Sequence, residues 1–364
     1  DLLTMAEINE KLVSGIPETF REVCQWMLWY QLAAKMYNMN GSLGRIDQFL
    51  YPYYERDKQQ GILTDEEAVF HLCCYFLMDT SYTQLGGPDA AGNDLTNPLS
   101  YLVLEAAHQL KIPVNVGVCV GKTTDPGLLQ RGVEIMFQDR TGIPKFLGVD
   151  RTSEGFARNG YPIGLGRERV YSGCHWCAIP GREYTVNDCV KINLPVVFDV
   201  ALHDMMSDST VTPGMDALWA SFERHLRRAV ETIAASLDFH MGTMYRVFPE
   251  LMLDLLCFGP VEKGRDASHG GVEFYNLCVD GAGLATVADS FGAVAQRVEK
   301  ERRMSWSELL SLMDNDWAGK DGERARSMMR SIPRYGSGGS SADAFGRSVA
   351  ELFTRLVKGK PTPH

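Results

Sequence analysis

The spacing of apolar and polar positions divides the chain into helices with a few short β-branched runs between them. Residues 5 to 38 repeat apolar side chains every three to four positions, the period of a helix with one buried face, with an interruption at Gly15 and Pro17. The segment RIDQFLYPYYERDKQQGILTDEEAVFHLCCYFLMDT predicts two helices separated at Gly61. Thr64 is the expected N-cap of the second. Asp65, Glu66 and Glu67 fill its first turn, where unpaired N–H groups favour acids. Residues 85–98, LGGPDAAGNDLTNP, are a polar loop, LSYLVLEAAHQLK is a helix, and IPVNVGVCVG is a strand by its β-branched alternation. Segment 123–139 is helical and IPKFLGVD is another short strand. Helices alternating with strands indicate an α/β fold.

Further on, NLPVVFDVALHDMMS predicts a helix, and TPGMDALWASFERHLRRAVETIAASLDFHMGTM a long one with Pro213 near its start, where a missing N–H costs nothing. Helix continues through Leu256, GVEFYNLCVDGAG reads as strand and glycine turn, and residues 283–300 and 305–315 are again helical. A Gly/Ser loop, SIPRYGSGGSSAD, precedes a last helix that runs to about Lys358. No repeat and no linker interrupts the 364 residues, so they read as one domain or part of one.

Composition narrows the picture. Hydrophobic residues make up 45% and charged residues 23%, which calls for a packed core rather than disorder. The net charge of -10 opposes a nucleic-acid partner, and the densest basic stretches, ERHLRRAVE and QRVEKERRMS, are interleaved with Glu as on solvated helix faces. No apolar run reaches the length of a membrane span, and the first residues show no secretory pattern, so no membrane association and a cytoplasmic location are expected. The chain starts at Asp1 rather than Met, which suggests processing or a fragment. Nine cysteines, most in apolar surroundings (Cys24, Cys73, Cys74, Cys119, Cys257, Cys278), fit reduced and buried thiols better than a disulfide framework.

The remaining three cysteines fall in YSGCHWCAIPGREYTVNDC, residues 171–189. Cys174, Cys177, Cys189 and His175 offer metal-ligating atoms, yet the second knuckle of a structural zinc site is missing. Cys174-x-x-Cys177 at a helix start would be a redox dithiol, but Pro180 and Gly181 fit a turn instead. GVCVGKTT echoes a phosphate loop and fails it, because Val116 stands where the first Gly belongs. A reactive cysteine on a loop is the fourth reading: Gly173 would let the backbone turn sharply and present Cys174.

Several segments together resemble the glycyl radical enzyme superfamily, the pyruvate formate-lyase-like proteins. RIDQFLYPYYERDKQQGILTDEEA is similar to that family's R-x-D-Q-Y-L-Y-P-Y-Y … G-x-L-T-x-E-E-A helix pair, and LGGPDAAGNDLTNPLSYLVLEA to its G-G-x-D-x-x-G-x-D-x-T-N-x-L-S loop and helix. YSGCHW stands where the family carries G-C at the tip of its catalytic loop, and GGVEFYNLCVDGAGLATVADSFGAV and RYGSGG follow in order. The resemblance implies part of a ten-stranded α/β barrel surrounded by helices. It also implies a catalytic Cys174 that becomes a transient thiyl radical and abstracts hydrogen from the substrate. In the family an S-adenosylmethionine iron–sulfur activase installs a protein glycyl radical on a second loop, and no other cofactor is bound.

Two departures from the family pattern matter. No R-V-x-G-Y-like glycyl loop occurs in the sequence, so residues 1–364 resemble the central part of the catalytic chain, incomplete at both ends and inactive alone. The implied partners are the activase, a small-molecule substrate, and a homodimer mate or partner chain carrying the glycyl loop. Eliminating members of the family carry G-C-x-E, and here Trp176 takes the glutamate position. Pyruvate formate-lyase itself has adjacent cysteines, whereas the second here is Cys177. Trp176 suits an apolar or aromatic substrate, which leans towards carbon–carbon cleavage or decarboxylation of a small carboxylate. His175 and Arg182 are candidate carboxylate partners, Glu183 a candidate loop carboxylate or an exposed bystander, and Cys177 a hydrogen relay or inert packing. The alternatives are a C–O or C–N eliminating member, or a non-catalytic α/β scaffold or metal-binding module.

Overall fold

The computed structural model describes residues 2–37, 42–173, 176–186, 190–361 and 363–364. They form two compact units: Asp1–Thr185 with Tyr245–Asn276, and Val186–Met244 with Leu277–His364.

The first unit is built on a three-stranded parallel sheet, β1 (Thr83–Leu85), β2 (Val116–Val120) and β3 (Lys145–Gly148), in that order. Gln84 lies opposite Gly117 and Val118 opposite Phe146. Parallel strands need crossovers, and helices Pro98–Leu110 and Pro126–Asp139 supply them. Asn97 caps the former, taking the N–H groups of Leu99 and Ser100, and Asp125 caps the latter through Leu128. Helices Phe20–Met36 and Asp65–Met78 both start in capping boxes, Thr19 with Glu22 and Thr64 with Glu67. Their inward faces join the sheet in one core that includes Phe20, Leu72, Phe76, Leu85, Leu104 and Val118.

The expected α/β class, the cap at Thr64 and all three expected strand regions are present, the third as Phe274–Leu277 and Asp280–Ala282. Other features were not legible. β1 has three residues, too few to show a period. Helices Val149–Arg158 and Gly319–Arg330 were also missed; Gly155 in the first and Gly322 in the second sit in their interiors and lower helix propensity. Pro213 stands two residues ahead of helix Met215–Val247 rather than inside its first turn.

The second unit packs helices Leu194–Ser207, Leu284–Ala293, Ser341–Val357 and the greater part of Met215–Val247 around Phe291. Phe198 and Phe222 meet the Phe291 ring edge-on at 4.9 and 5.2 Å, and Phe345 stacks on it at 5.3 Å. One parallel strand pair, Lys191–Asn193 with Asp280–Ala282, belongs to this unit.

Candidate active site

The segment that carries Cys174 is bracketed by a β-hairpin in the first unit. Strand β4 (Val170–Tyr171) runs antiparallel to β5 (Cys177–Ala178), with Tyr171 opposite Cys177 and Val170 opposite Ala178. Ser172 N–H donates to the Trp176 carbonyl at 3.1 Å, closing the ladder around positions 173–175. Cys174, His175 and Cys189 themselves lie outside the described residues.

The hairpin is tied to the sheet. Gln84, fully buried on β1, accepts the Tyr171 N–H at 3.0 Å through Oε1. Ser42 Oγ donates to the Tyr171 carbonyl at 3.2 Å. The Tyr171 hydroxyl pairs with Thr152 Oγ1 at 2.8 Å, and burial raises its pKa above the ordinary phenol value.

A buried ion pair staples the hairpin at its entrance and exit. Arg169 immediately precedes β4, and its guanidinium grips Glu183 with two bonds, Nη1 to Oε2 at 2.7 Å and Nη2 to Oε1 at 3.0 Å. Arg169 Nη1 also donates to the Cys177 carbonyl at 3.2 Å, while Glu183 Oε2 accepts the Ile179 N–H at 2.8 Å. Phe156 and Tyr161 face the guanidinium, their ring centres 3.6 and 4.7 Å from its carbon. Burial pushes the Glu183 carboxyl up from its ordinary value, and the Arg169 charge pulls it back.

These contacts change the expectations for the loop. Glu183 is not an exposed bystander: it is 6% exposed, and both carboxylate oxygens are committed to Arg169 and Ile179. Arg182 is held by Glu273 in two bonds of 2.8 and 2.9 Å, so its guanidinium is already paired. Cys177 and Trp176 are buried. Gly173 is required for space rather than torsion. Its φ is not in the left-handed region, but a Cβ there would lie 2.0 Å from the Trp176 indole. Of the cysteines expected to be buried, Cys24 and Cys119 are; burial pushes both thiols up to about 12. Cys74 is exposed, on the outer face of its helix. Among the described residues no cluster of three His, Cys, Asp or Glu side chains is arranged to hold a metal, and no helix is long and apolar enough to cross a membrane.

Arg169, Gln84 and Ser172 were not singled out in the sequence. Arg169 and Glu183 are 14 residues apart, and no helical or strand spacing links such positions. Only a buried arginine one residue ahead of the strand would have been a cue.

The whole chain, residues 1–364, matches the family model described as pyruvate formate lyase-like. The chain therefore belongs to the pyruvate formate lyase-like family of glycyl radical enzymes. It is 25% identical over 401 residues to (2S)-3-sulfopropanediol dehydratase of Klebsiella oxytoca, covering 100% of this chain and 48% of that protein. It superposes on the glycerol-bound B12-independent glycerol dehydratase from Clostridium butyricum with a TM-score of 0.88 at 22% identity, over 99% of this chain and 49% of that one. A glycyl radical enzyme from Archaeoglobus fulgidus gives a TM-score of 0.86 at 24% identity, over 98% and 50%. The fold is thus that of glycyl radical enzymes, and the chain spans about half the length of these relatives.

Proposed function

We propose that the chain is the cysteine-bearing part of a glycyl radical lyase in which Cys174 abstracts hydrogen from a small carboxylate-bearing substrate. The observation that carries the reading is the mounting of positions 173–175. Their flanks are bonded to each other, to Gln84 on the sheet, and through Arg169 and Glu183 to the hairpin's own ends. Hydrogen abstraction demands a sulfur held close to one C–H bond, and rigid flanks supply that placement. Gly173, Trp176, Cys177 and Ile179 are buried and uncharged, which suits a neutral sulfur radical and keeps water away. The glycyl radical of the family, on a segment outside these residues and installed by a radical-SAM iron–sulfur activase, supplies the unpaired electron. The further partners are a homodimer mate or a chain bearing that segment, in an anaerobic cytoplasm.

Two reactions suit the site. Carbon–carbon cleavage or decarboxylation is favoured by Trp176, which offers no base two residues after Cys174, and by the engagement of Glu183. Elimination is favoured by the names of the relatives, two of which are dehydratases. The test is anoxic co-expression of the full-length gene with its activase, followed by EPR and turnover of arylacetates and vicinal diols. A glycyl doublet, and turnover abolished in Cys174→Ala, are expected. Carbon dioxide from the first substrates or aldehyde from the second decides the reaction. Absence of a doublet, or undiminished turnover in the variant, rejects the reading.

A further inference from the structure

His203 lies near the end of helix Leu194–Ser207 in the second unit, and both nitrogens of its ring face acceptors. Nδ1 is 2.8 Å from the carbonyl oxygen of Asp199, one turn back on the same helix. Nε2 is 2.8 Å from Oδ1 of Asp314, the last residue of helix Trp306–Asp314. A carbonyl oxygen and an ionised carboxylate only accept. A neutral imidazole carries one N–H and satisfies one of them; the imidazolium carries two and satisfies both. The geometry therefore selects the charged ring.

The groups around it agree. Asp199 Oδ1 is 3.6 Å from Nδ1. The next carboxylate on the helix, Asp204, is taken up by Arg224 and by His225, whose Nε2 lies 3.1 Å from Asp204 Oδ2; both belong to helix Met215–Val247. The bonds to the Asp199 carbonyl and to Asp314 raise the His203 pKa above the ordinary imidazole value, with burial opposing them. The helix held at its end is also a wall: Leu309 and Met313 on it, and Trp317 beyond it, line a cavity of about 370 Å³ with Phe198, Val294 and Ile332. We propose that His203, held as the imidazolium, clasps helix Trp306–Asp314 to helix Leu194–Ser207, and that this clasp releases the cavity wall as pH rises. The sign follows from the raised value. The clasp is complete below the ordinary imidazole pKa of 6.5 and is lost as pH rises through the higher value of the folded state.

The test uses the full-length protein. Deuterium exchange of the imidazole C2 proton, followed by peptide mass spectrometry from about pH 5 to 9, titrates each histidine separately. His203 should titrate above exposed His240, and Asp314→Asn should narrow the gap. Amide exchange on the same samples reads the clasp itself. After correction for the intrinsic rate, protection in residues 306–317 should fall as pH rises through the His203 value. The fall should be about tenfold for each unit by which that value exceeds the ordinary one, while helix Leu284–Ala293 stays level. His203→Gln keeps a donor for Asp314 and removes the proton that titrates, so protection in 306–317 should no longer follow pH. The proposal is overturned if His203 titrates no higher than His240, if protection in 306–317 is flat across the range in the wild type, or if it is equally pH-dependent in His203→Gln.

Discussion

The Trp176 indole occupies the space where a side chain at position 173 would stand. A Cβ there would lie 2.0 Å from Cε2 and 2.2 Å from Nε1, so the buried indole or the residues that carry it must shift. Gly173→Ala is therefore expected to displace the residues that flank Cys174. Misplacement by about 1 Å costs roughly a hundredfold in rate, so kcat of the activated enzyme should fall by about that factor. Hydrogen exchange should speed up in residues 170–178 with the rest of the chain unchanged, and an unaltered kcat would show that the contact does not place the cysteine. A second residue-scale expectation concerns Asp47. It is fully buried; Gly86 N–H and Ser100 Oγ donate to its Oδ2, and Oδ1 is unpartnered. Burial outweighs these bonds and raises its pKa from 3.8 to about 6. The folded state therefore binds the proton more tightly than the unfolded chain. The stability this gives is complete below about pH 4 and is lost as pH rises through about 6, a change of about 3 kcal/mol at most. Asp47→Asn, compared with wild type by urea denaturation at pH 4, 5, 6 and 7, should gain relative stability across that window. A constant difference between the two proteins would contradict the assignment.

At the scale of elements, the hairpin is held by a pair of charges with side chains 1% and 0% exposed. Removing one partner of a buried pair leaves the other charge uncompensated, at a cost of about 3–5 kcal/mol. Glu183→Gln should show that loss as a lower urea midpoint. Arg169→Met combined with Glu183→Leu should recover much of it, since volume-matched apolar pairs replace buried ions at little cost. A double variant as unstable as the single one would mean that the hydrogen bonds to Cys177 O and Ile179 N–H, rather than the charges, hold the hairpin. This element also shows what a sequence can and cannot reveal. Local rules located the helix cap at Thr64 and strands β2 and β3, because caps and β-branched runs are written in adjacent residues. The resemblance to a family singled out the Gly173–Cys174 segment, of which Cys174 lies outside the described residues. The Arg169–Glu183 staple and the Gln84 tie were not legible, because each joins residues brought together only by the chain's return. The role of Gly173 was misread for the same reason: its constraint comes from Trp176, not from its own torsion angle.

Across the whole molecule, most of the buried apolar side chains among the described residues fall into two clusters that share no residue, one around the parallel sheet and one around Phe291. Neither a linker nor a change in composition marks this division, and the chain leaves the first unit at Thr185 and re-enters it at Tyr245. Separate cores have a measurable consequence. Phe76, 1% exposed, belongs to the first cluster, and Phe291, fully buried, to the second. Truncating a buried phenylalanine to alanine costs about 3–5 kcal/mol through lost burial and the cavity left behind. Sites without shared partners add in their effects to within about 0.5 kcal/mol. Phe76→Ala should therefore reduce amide protection in the sheet and its helices, Phe291→Ala should reduce it in the helices around position 291, and each should leave the most protected amides of the other unit near wild type. Hydrogen exchange with mass spectrometry under mildly destabilising conditions reads both patterns in one experiment. If either variant lowered protection equally in both units, the two clusters would behave as one cooperative core, and the cysteine hairpin would owe its rigidity to the whole chain rather than to the first unit alone.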